Sequence, residues 1–213
     1  MRIGMLGTGD VAKALAKGFA TLGHDVKVGS RSAGNGKATA IAKELEGKGS
    51  AGTFAEAAAF GEVVVLATLG SANPEVLKAA GADRLRGKVL IDATNPLDFG
   101  GGAPRLFLGH TDSGGEQVQR LVPEARVVKA FNTVGNAFMF RPVFAGGPPD
   151  MFFCGNDAAA KQTVEDILVS FGWQTVDLGG IESSRHLEAM CMVWVIHGIR
   201  SGTWTHAFKL LRK

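Results

Sequence analysis

Residues 1–31 read MRIGMLGTGDVAKALAKGFATLGHDVKVGSR, and three local patterns follow one another within them. Arg2-Ile3-Gly4-Met5-Leu6 is a short apolar run bounded by glycine, the pattern of a central parallel strand. It leads into Gly7-Thr8-Gly9-Asp10-Val11-Ala12, a G-x-G-x-x-A turn. Past the turn, Ala12, Leu15, Ala16, Phe19 and Ala20 recur at i, i+3, i+4, i+7 and i+8, which makes one small-residue stripe of a helix. Gly23 ends that helix, and Asp25-Val26-Lys27-Val28 starts a second strand. Strand, glycine turn, helix and strand within roughly thirty residues make a βαβ unit of the dinucleotide-binding kind. Gly7 permits the tight turn, Gly9 lets the backbone approach a pyrophosphate, and the small Ala12 lets the helix pack close to the strand. The helix N-terminus presents unpaired N–H groups and a positive dipole end to the phosphates.

The end of the second strand carries the next signal. A site for NAD has Asp or Glu there, about 20 residues past the glycines, to hold the ribose hydroxyls. This chain has Gly29-Ser30-Arg31, with Lys37 a few residues on. A hydroxyl and a planar, permanently charged guanidinium suit a 2′-phosphate, which a carboxylate would repel. NADP(H) is therefore the expected dinucleotide.

The remaining chain reads as further α/β units. Residues 37–45 are helical in pattern, Ser50 to Thr53 suits a short strand, and Thr53 can cap a helix through Phe60. Glu62 to Ala67 and Lys88 to Thr94 are buried strands. The turns after them, Thr68-Leu69-Gly70-Ser71 and Asn95-Pro96-Leu97, lie at carboxyl ends, where ligands bind in open α/β sheets. Residues 98–112 (DFGGGAPRLFLGHTD) read as a mobile glycine-rich loop able to cover a pocket. Ser113 and Glu116 have capping-box spacing. Ala125 to Ala130 is another strand, followed by Phe131-Asn132-Thr133-Val134. Asn132 and Thr133 can donate hydrogen bonds to a nicotinamide carboxamide, or can serve only as strand-end turn chemistry. A proline-rich linker, Arg141 to Asp150, precedes a strand at Met151–Gly155, a helix capped by Asn156 or Asp157, a last strand at 173–178, and a helix from Glu182. The expected fold class is a Rossmann-type, doubly wound α/β protein with a mostly parallel sheet. The expected domains are 1–145 for the dinucleotide and 146–213 as a small C-terminal α/β annex.

Composition narrows the function without choosing it. Of 213 residues, 46% are hydrophobic and 20% charged, the balance of a globular protein rather than a disordered or fibrous one. The net charge of +3 comes from scattered Lys and Arg, without the basic stripe and interleaved aromatics that nucleic acid requires. No window approaches the ~18 apolar residues of a membrane span, and the run Met190 to Ile196 is expected in the core or against a second subunit. The N-terminus enters a strand directly, so no signal peptide and a cytoplasmic location are expected. Cys154 and Cys191 read as buried thiols, and His186, His197 and His206 as structural or pocket-lining groups without ligand spacing. No catalytic triad, metal set or carboxylate pair emerges, so no catalytic or metal-ligating residue is assigned. That suits a hydride transfer between two bound rings, to which a protein contributes proximity and orientation.

Several segments together resemble a known family. Gly7-Thr8-Gly9-Asp10, Gly29-Ser30-Arg31, Ile91 to Leu97, Lys129 to Thr133, Gly155-Asn156-Asp157, His186 to Met190 and Ala207 to Leu211 occur in the order found in the NADPH-dependent coenzyme F420 reductases. The cytosolic domains of the STEAP ferric reductases are similar. The resemblance covers essentially the whole chain. It implies a homodimer built partly through the annex, and a hydride moved between C4 of NADP(H) and C5 of a deazaflavin stacked in an apolar pocket. By position it implies that Thr8, Gly9, Asp10 and Val11 hold the pyrophosphate, and that Ser30 and Arg31 hold the 2′-phosphate. Thr68, Leu69, Asn95 and Ala130 line the ribose and nicotinamide side, and Asn132 and Val134 face the reacting rings. Archaeal F420 enzymes carry His-Thr-Ile-Pro where this chain has Phe131-Asn132-Thr133-Val134, a departure toward the ferric-reductase branch. The expected function is thus an NADPH-dependent oxidoreductase whose small-molecule redox acceptor is coenzyme F420 or another flavin-like ring. The alternatives are a non-catalytic NADP(H) sensor and a reductase of a small imine or β-hydroxy acid.

Overall fold

A computed structural model describes all residues 1–213. The chain forms, in order, β1 (Arg2–Leu6), α1 (Asp10–Thr21), β2 (Asp25–Ser30), α2 (Gly36–Lys43), β3 (Gly49–Thr53), α3 (Phe54–Phe60) and β4 (Val63–Leu66). There follow α4 (Asn73–Ala80), α5 (Ala82–Leu85), β5 (Val89–Asp92), β6 (Leu97–Asp98), β7 (Arg105–Leu106), α6 (Gly114–Leu121) and β8 (Arg126–Lys129). The chain closes with β9 (Asp150–Gly155), α7 (Ala158–Ser170), β10 (Gln174–Asp177) and α8 (Ser184–Ser201).

Eight strands form one sheet in the order β10-β9-β8-β5-β4-β1-β2-β3. The six strands from β3 to β8 are mutually parallel, β9 runs antiparallel to β8, and β10 runs parallel to β9. The expected Rossmann-type, mostly parallel sheet is what the chain forms. Residues 146–213 supply β9 and β10 to this same sheet. Chain order reverses between β1 and β4, which opens a crevice at their carboxyl ends.

Strand side chains alternate between two cores, so both faces of the sheet are dry. Ile3, Met5, Val63 and Val65 pack with Leu15 and Phe19 of α1 and Val164 and Ile167 of α7. Leu6, Val64 and Leu66 pack on the other face with Phe54 of α3, Val76 and Leu77 of α4 and Val118 of α6. Thr53 and Glu56 make a reciprocal capping box, while Asn35, Ser113 and Asp157 cap α2, α6 and α7 through their side chains.

The glycine-rich segment after Leu97 differs from the expected plain loop. β6 and β7 pair antiparallel, and Arg105 bonds Asp98 at 2.8 Å across them, so a small hairpin organises this segment. The apolar run Met190 to Ile196 divides by face. Cys191, Trp194 and Val195 are buried, whereas Val193 and Ile196 are exposed.

Gly4 sits where α3 crosses the sheet, and a Cβ there would fall on the Ala57 carbonyl oxygen. Gly4→Ala should therefore cost about 1–3 kcal/mol by overpacking. Thermal melting should show it as a Tm lower by about 2–4 °C per kcal/mol; an unchanged Tm would mean that α3 does not press on β1 this closely.

Candidate functional site

The turn between β1 and α1 separates two uses of glycine. Gly7 has φ +142°, and a Cβ on it would meet the Ala67 carbonyl oxygen and, at 3.5 Å, the Cβ of Ala12. Its role is to let the backbone fit, and Ala12 is small for the same reason. A Cβ on Gly9 would meet nothing within 4 Å. Gly9 keeps open space beside the backbone, as a close-lying phosphate requires. Gly9 is also the N-cap of α1 and offers no side chain to the first turn, unlike the capping residues of α2, α3, α6 and α7. The N–H groups at this helix start are thus left for an anion.

A cleft of about 560 Å³ opens above this turn. Gly7, Thr8, Gly9, Asp10, Val11, Ser30, Arg31, Thr68 and Leu69 border it, all of them residues that the sequence singles out. Asn35, Phe54 and Val76 are among the others that line it, and nothing in their local pattern marks them. The Ser30 hydroxyl donates to the Ser32 carbonyl at 2.6 Å, a bond it would exchange for one to a phosphate oxygen, since a phosphate oxygen only accepts. Arg31 forms no ion pair or hydrogen bond within the chain, so its guanidinium stands at the cleft edge without a counter-ion. Lys37 is exposed in the first turn of α2 and does not border the cleft.

A second cavity of about 360 Å³ adjoins the first, sharing Val11 and Asn136 with it. Asn95, Leu97, Asn132 and Val134 line it, together with Phe131, Cys191, Trp194 and Trp204. Eleven of its fifteen lining residues are hydrophobic, so it suits an apolar ring. The indoles of Trp194 and Trp204 lie 5.1 Å apart, and His206 stacks on Trp194 at 4.8 Å. Trp194 and His206 also exchange hydrogen bonds with each other's main chain, which holds the C-terminal segment over α8. Pro96 and Ala130 are buried and border neither cavity. Phe131 is buried with φ +63°, an unusual backbone state for a bulky residue at the point where β8 turns into this wall.

Where β5, β8 and α8 meet lies a group the sequence does not reveal. Lys129, Asp92 and Glu188 are completely or almost completely buried, and the ammonium bonds the carboxylates at 2.9 and 2.8 Å. Burial alone would lower the Lys129 pKa, but the two carboxylates outweigh it and hold the group above its ordinary value. Glu188 also accepts from the Gly114 and Gly115 amides at 2.9 and 3.0 Å, at the start of α6. Asp92 accepts from both the amide and the hydroxyl of Thr94. Thr94 in turn accepts from Asn73, which accepts from Thr68 on the edge of the larger cleft. Both cysteines are free and buried. Burial pushes the Cys154 thiol to about 11 and the Cys191 thiol to about 12, so neither supplies a nucleophile at neutral pH. No group of His, Cys, Asp and Glu is arranged to hold a metal ion.

An uncapped glycine turn at a sheet's topological switch point, opening onto an apolar ring-sized cavity, defines a dinucleotide-binding protein of the oxidoreductase kind. The comparisons with known proteins narrow the class. Residues 2–96 match the family model described as NADP oxidoreductase coenzyme F420-dependent. The chain is 31% identical over 212 residues to the F420-dependent NADP reductase of Methanothermobacter thermautotrophicus, covering 94% of this chain and 90% of that one. A crystal structure of a candidate F420-dependent NADP-reductase from Arthrobacter sp. FB24 superposes with a TM-score of 0.92 at 41% identity, over 99% of both chains. The chain is also 32% identical over 189 residues to the rat metalloreductase STEAP3, of whose length the match spans only 36%. The chain belongs to the F420-dependent NADP oxidoreductase family.

Lys129→Met would leave two carboxylates buried without their cation, a change that typically costs about 3–5 kcal/mol. Denaturant unfolding should show that loss. A variant as stable as the parent would mean that the three charges are not coupled as the distances imply.

Proposed function

We propose that this chain binds NADP(H) along the larger cleft and transfers a hydride between its nicotinamide and coenzyme F420, or another flavin-like ring, in the smaller cavity. The observation that carries this reading is the junction of the two spaces at Val11 and Asn136, which sets a phosphate-binding helix start and an apolar ring site in one continuous groove. When bound, the two cofactors supply the redox chemistry, from nicotinamide C4 to deazaflavin C5. The protein's own residues bind and orient. The amides at the start of α1 receive the pyrophosphate, Ser30 and Arg31 receive the 2′-phosphate, and Thr68, Leu69 and Asn95 border the ribose and nicotinamide. Val134, Trp194 and Trp204 exclude water from the rings. Lys37 adds positive charge at longer range, Leu97 lines the wall, and the buried Pro96 and Ala130 support it from behind.

Several finer features belong to the same reading. Residues 146–213 act as an annex that completes the acceptor side. The exposed Val193, Ile196 and Ile199 of α8 are the face of a homodimer. No helix is long and apolar enough to cross a membrane, and we place the reaction in the cytoplasm. The scattered charge argues against a nucleic-acid partner.

Arg31→Ala removes the guanidinium's charge-assisted bonds to the 2′-phosphate. NADPH binding should weaken about tenfold or more while NADH binding barely changes. Equal losses for the two cofactors would refute the assignment of Arg31. For the reaction itself, NADPH oxidation followed by absorbance should proceed with deazaflavin, FMN, FAD or a ferric chelate offered in turn, and fastest with the deazaflavin. Tight NADPH binding without turnover on any of them would instead make the chain a sensor.

A further inference from the structure

The β5–β8 register sets Asp92 opposite Lys129, and Asn95 and Asn132 each follow three residues later. Two parallel strands therefore deliver two amides side by side in the wall of the apolar cavity. The amides lock together: Asn132 Nδ2 donates to Asn95 Oδ1 at 3.0 Å, and Asn95 Nδ2 donates to the Asn132 carbonyl at 2.9 Å. Asn132 Nδ2 gives its other hydrogen to the Leu187 carbonyl of α8, also at 3.0 Å.

An amide nitrogen has two hydrogens to give, and its oxygen only accepts. Both hydrogens of Asn132 are committed, so its side chain does not donate to a ligand. Its Oδ1 is buried without any partner. Thr133 is likewise unavailable as a donor, being buried against Met151. Reversing the Asn132 amide would set its oxygen against two other acceptors, Asn95 Oδ1 and the Leu187 carbonyl, so this orientation is fixed by its neighbours. Asn95 has the complementary remainder, one N–H with no acceptor in the chain. Buried polar atoms are almost always satisfied; this orphan belongs to a cavity-lining residue but is itself closed to water, so a ring that uses it must displace the lining beside it.

We propose that Asn95 and Asn132 jointly read a cis-amide edge, an N–H beside a C=O, on a ring entering the cavity. Asn132 Oδ1 accepts the ring's N–H, and the spare N–H of Asn95 is donated to its carbonyl. Both the carboxamide of a nicotinamide and the imide of a flavin-like pyrimidinedione present this edge. The inference rests on reading the cavity as the redox half of the site.

The test compares dissociation constants of the full-length protein, measured by quenching of its tryptophan fluorescence without turnover. NADPH is set against its 3-acetylpyridine analogue, and FMN against N3-methyl FMN, since each analogue lacks the N–H. In the parent protein one analogue should bind about tenfold more weakly than its parent compound. The pair that discriminates identifies which ring is read. Asn132→Ala should erase that discrimination. Equal binding within both pairs, or discrimination that survives Asn132→Ala, would overturn the proposal while leaving the cavity reading intact. Failure of both NADPH and FMN to bind the parent protein would overturn the cavity reading and this proposal together. The comparison on the parent protein stands even if the variant does not fold.

Discussion

Three charges that never meet water hold the two halves of the site together. Lys129 at the end of β8 bonds Asp92 at the end of β5, and Glu188 from α8 completes the cluster. The cluster carries one more negative than positive charge, and the helix start of α6 compensates through the two glycine amides that bond Glu188. Removing these groups from water is costly, so such a cluster is weak evidence for stability in itself. What it supplies is position. It fixes the β5–β8 register, draws α8 onto the sheet, and through these places Asn95, Asn132 and Trp194 around one cavity.

From that cluster, hydrogen bonds run toward both cavities. One path passes from Asp92 through Thr94 and Asn73 to Thr68, on the edge of the larger cleft. The other runs along α8, whose Leu187 carbonyl takes a hydrogen from Asn132. The larger cleft depends less on side chains. It is made of main-chain amides at an uncapped helix, space kept by Gly9, and a cation left without a partner. The smaller cavity is the reverse, with aromatic walls and a few polar atoms whose bonding is almost complete.

Most of the framework was legible because local pattern and global fold agree in it. The G-x-G-x-x-A turn, the stripe from Ala12 to Phe19, and the caps at Thr53 and Ser113 carry their own chemistry in a few adjacent residues. The hairpin of β6 and β7 was not legible, because two-residue strands have no period to detect and the Asp98–Arg105 pair lies across a glycine-rich segment. The ion cluster was hidden for a different reason. Lys129 ends an apolar strand, where a cation ordinarily points to solvent, and its partner Glu188 lies 59 residues away on a helix. Asn132 was recognised as a polar residue at the cavity, but whether it gives or accepts depends on Leu187 and Asn95, which only the folded chain brings to it.

With two rings held face to face in the two cavities, hydrogen should pass directly between them. Reduction of the deazaflavin by NADPH carrying deuterium at C4 tests this most directly, with the product examined by mass spectrometry. The deuterium from one face of the nicotinamide should be recovered on C5 of the acceptor. Label lost to solvent, with unlabelled acceptor formed at the same rate, would contradict it.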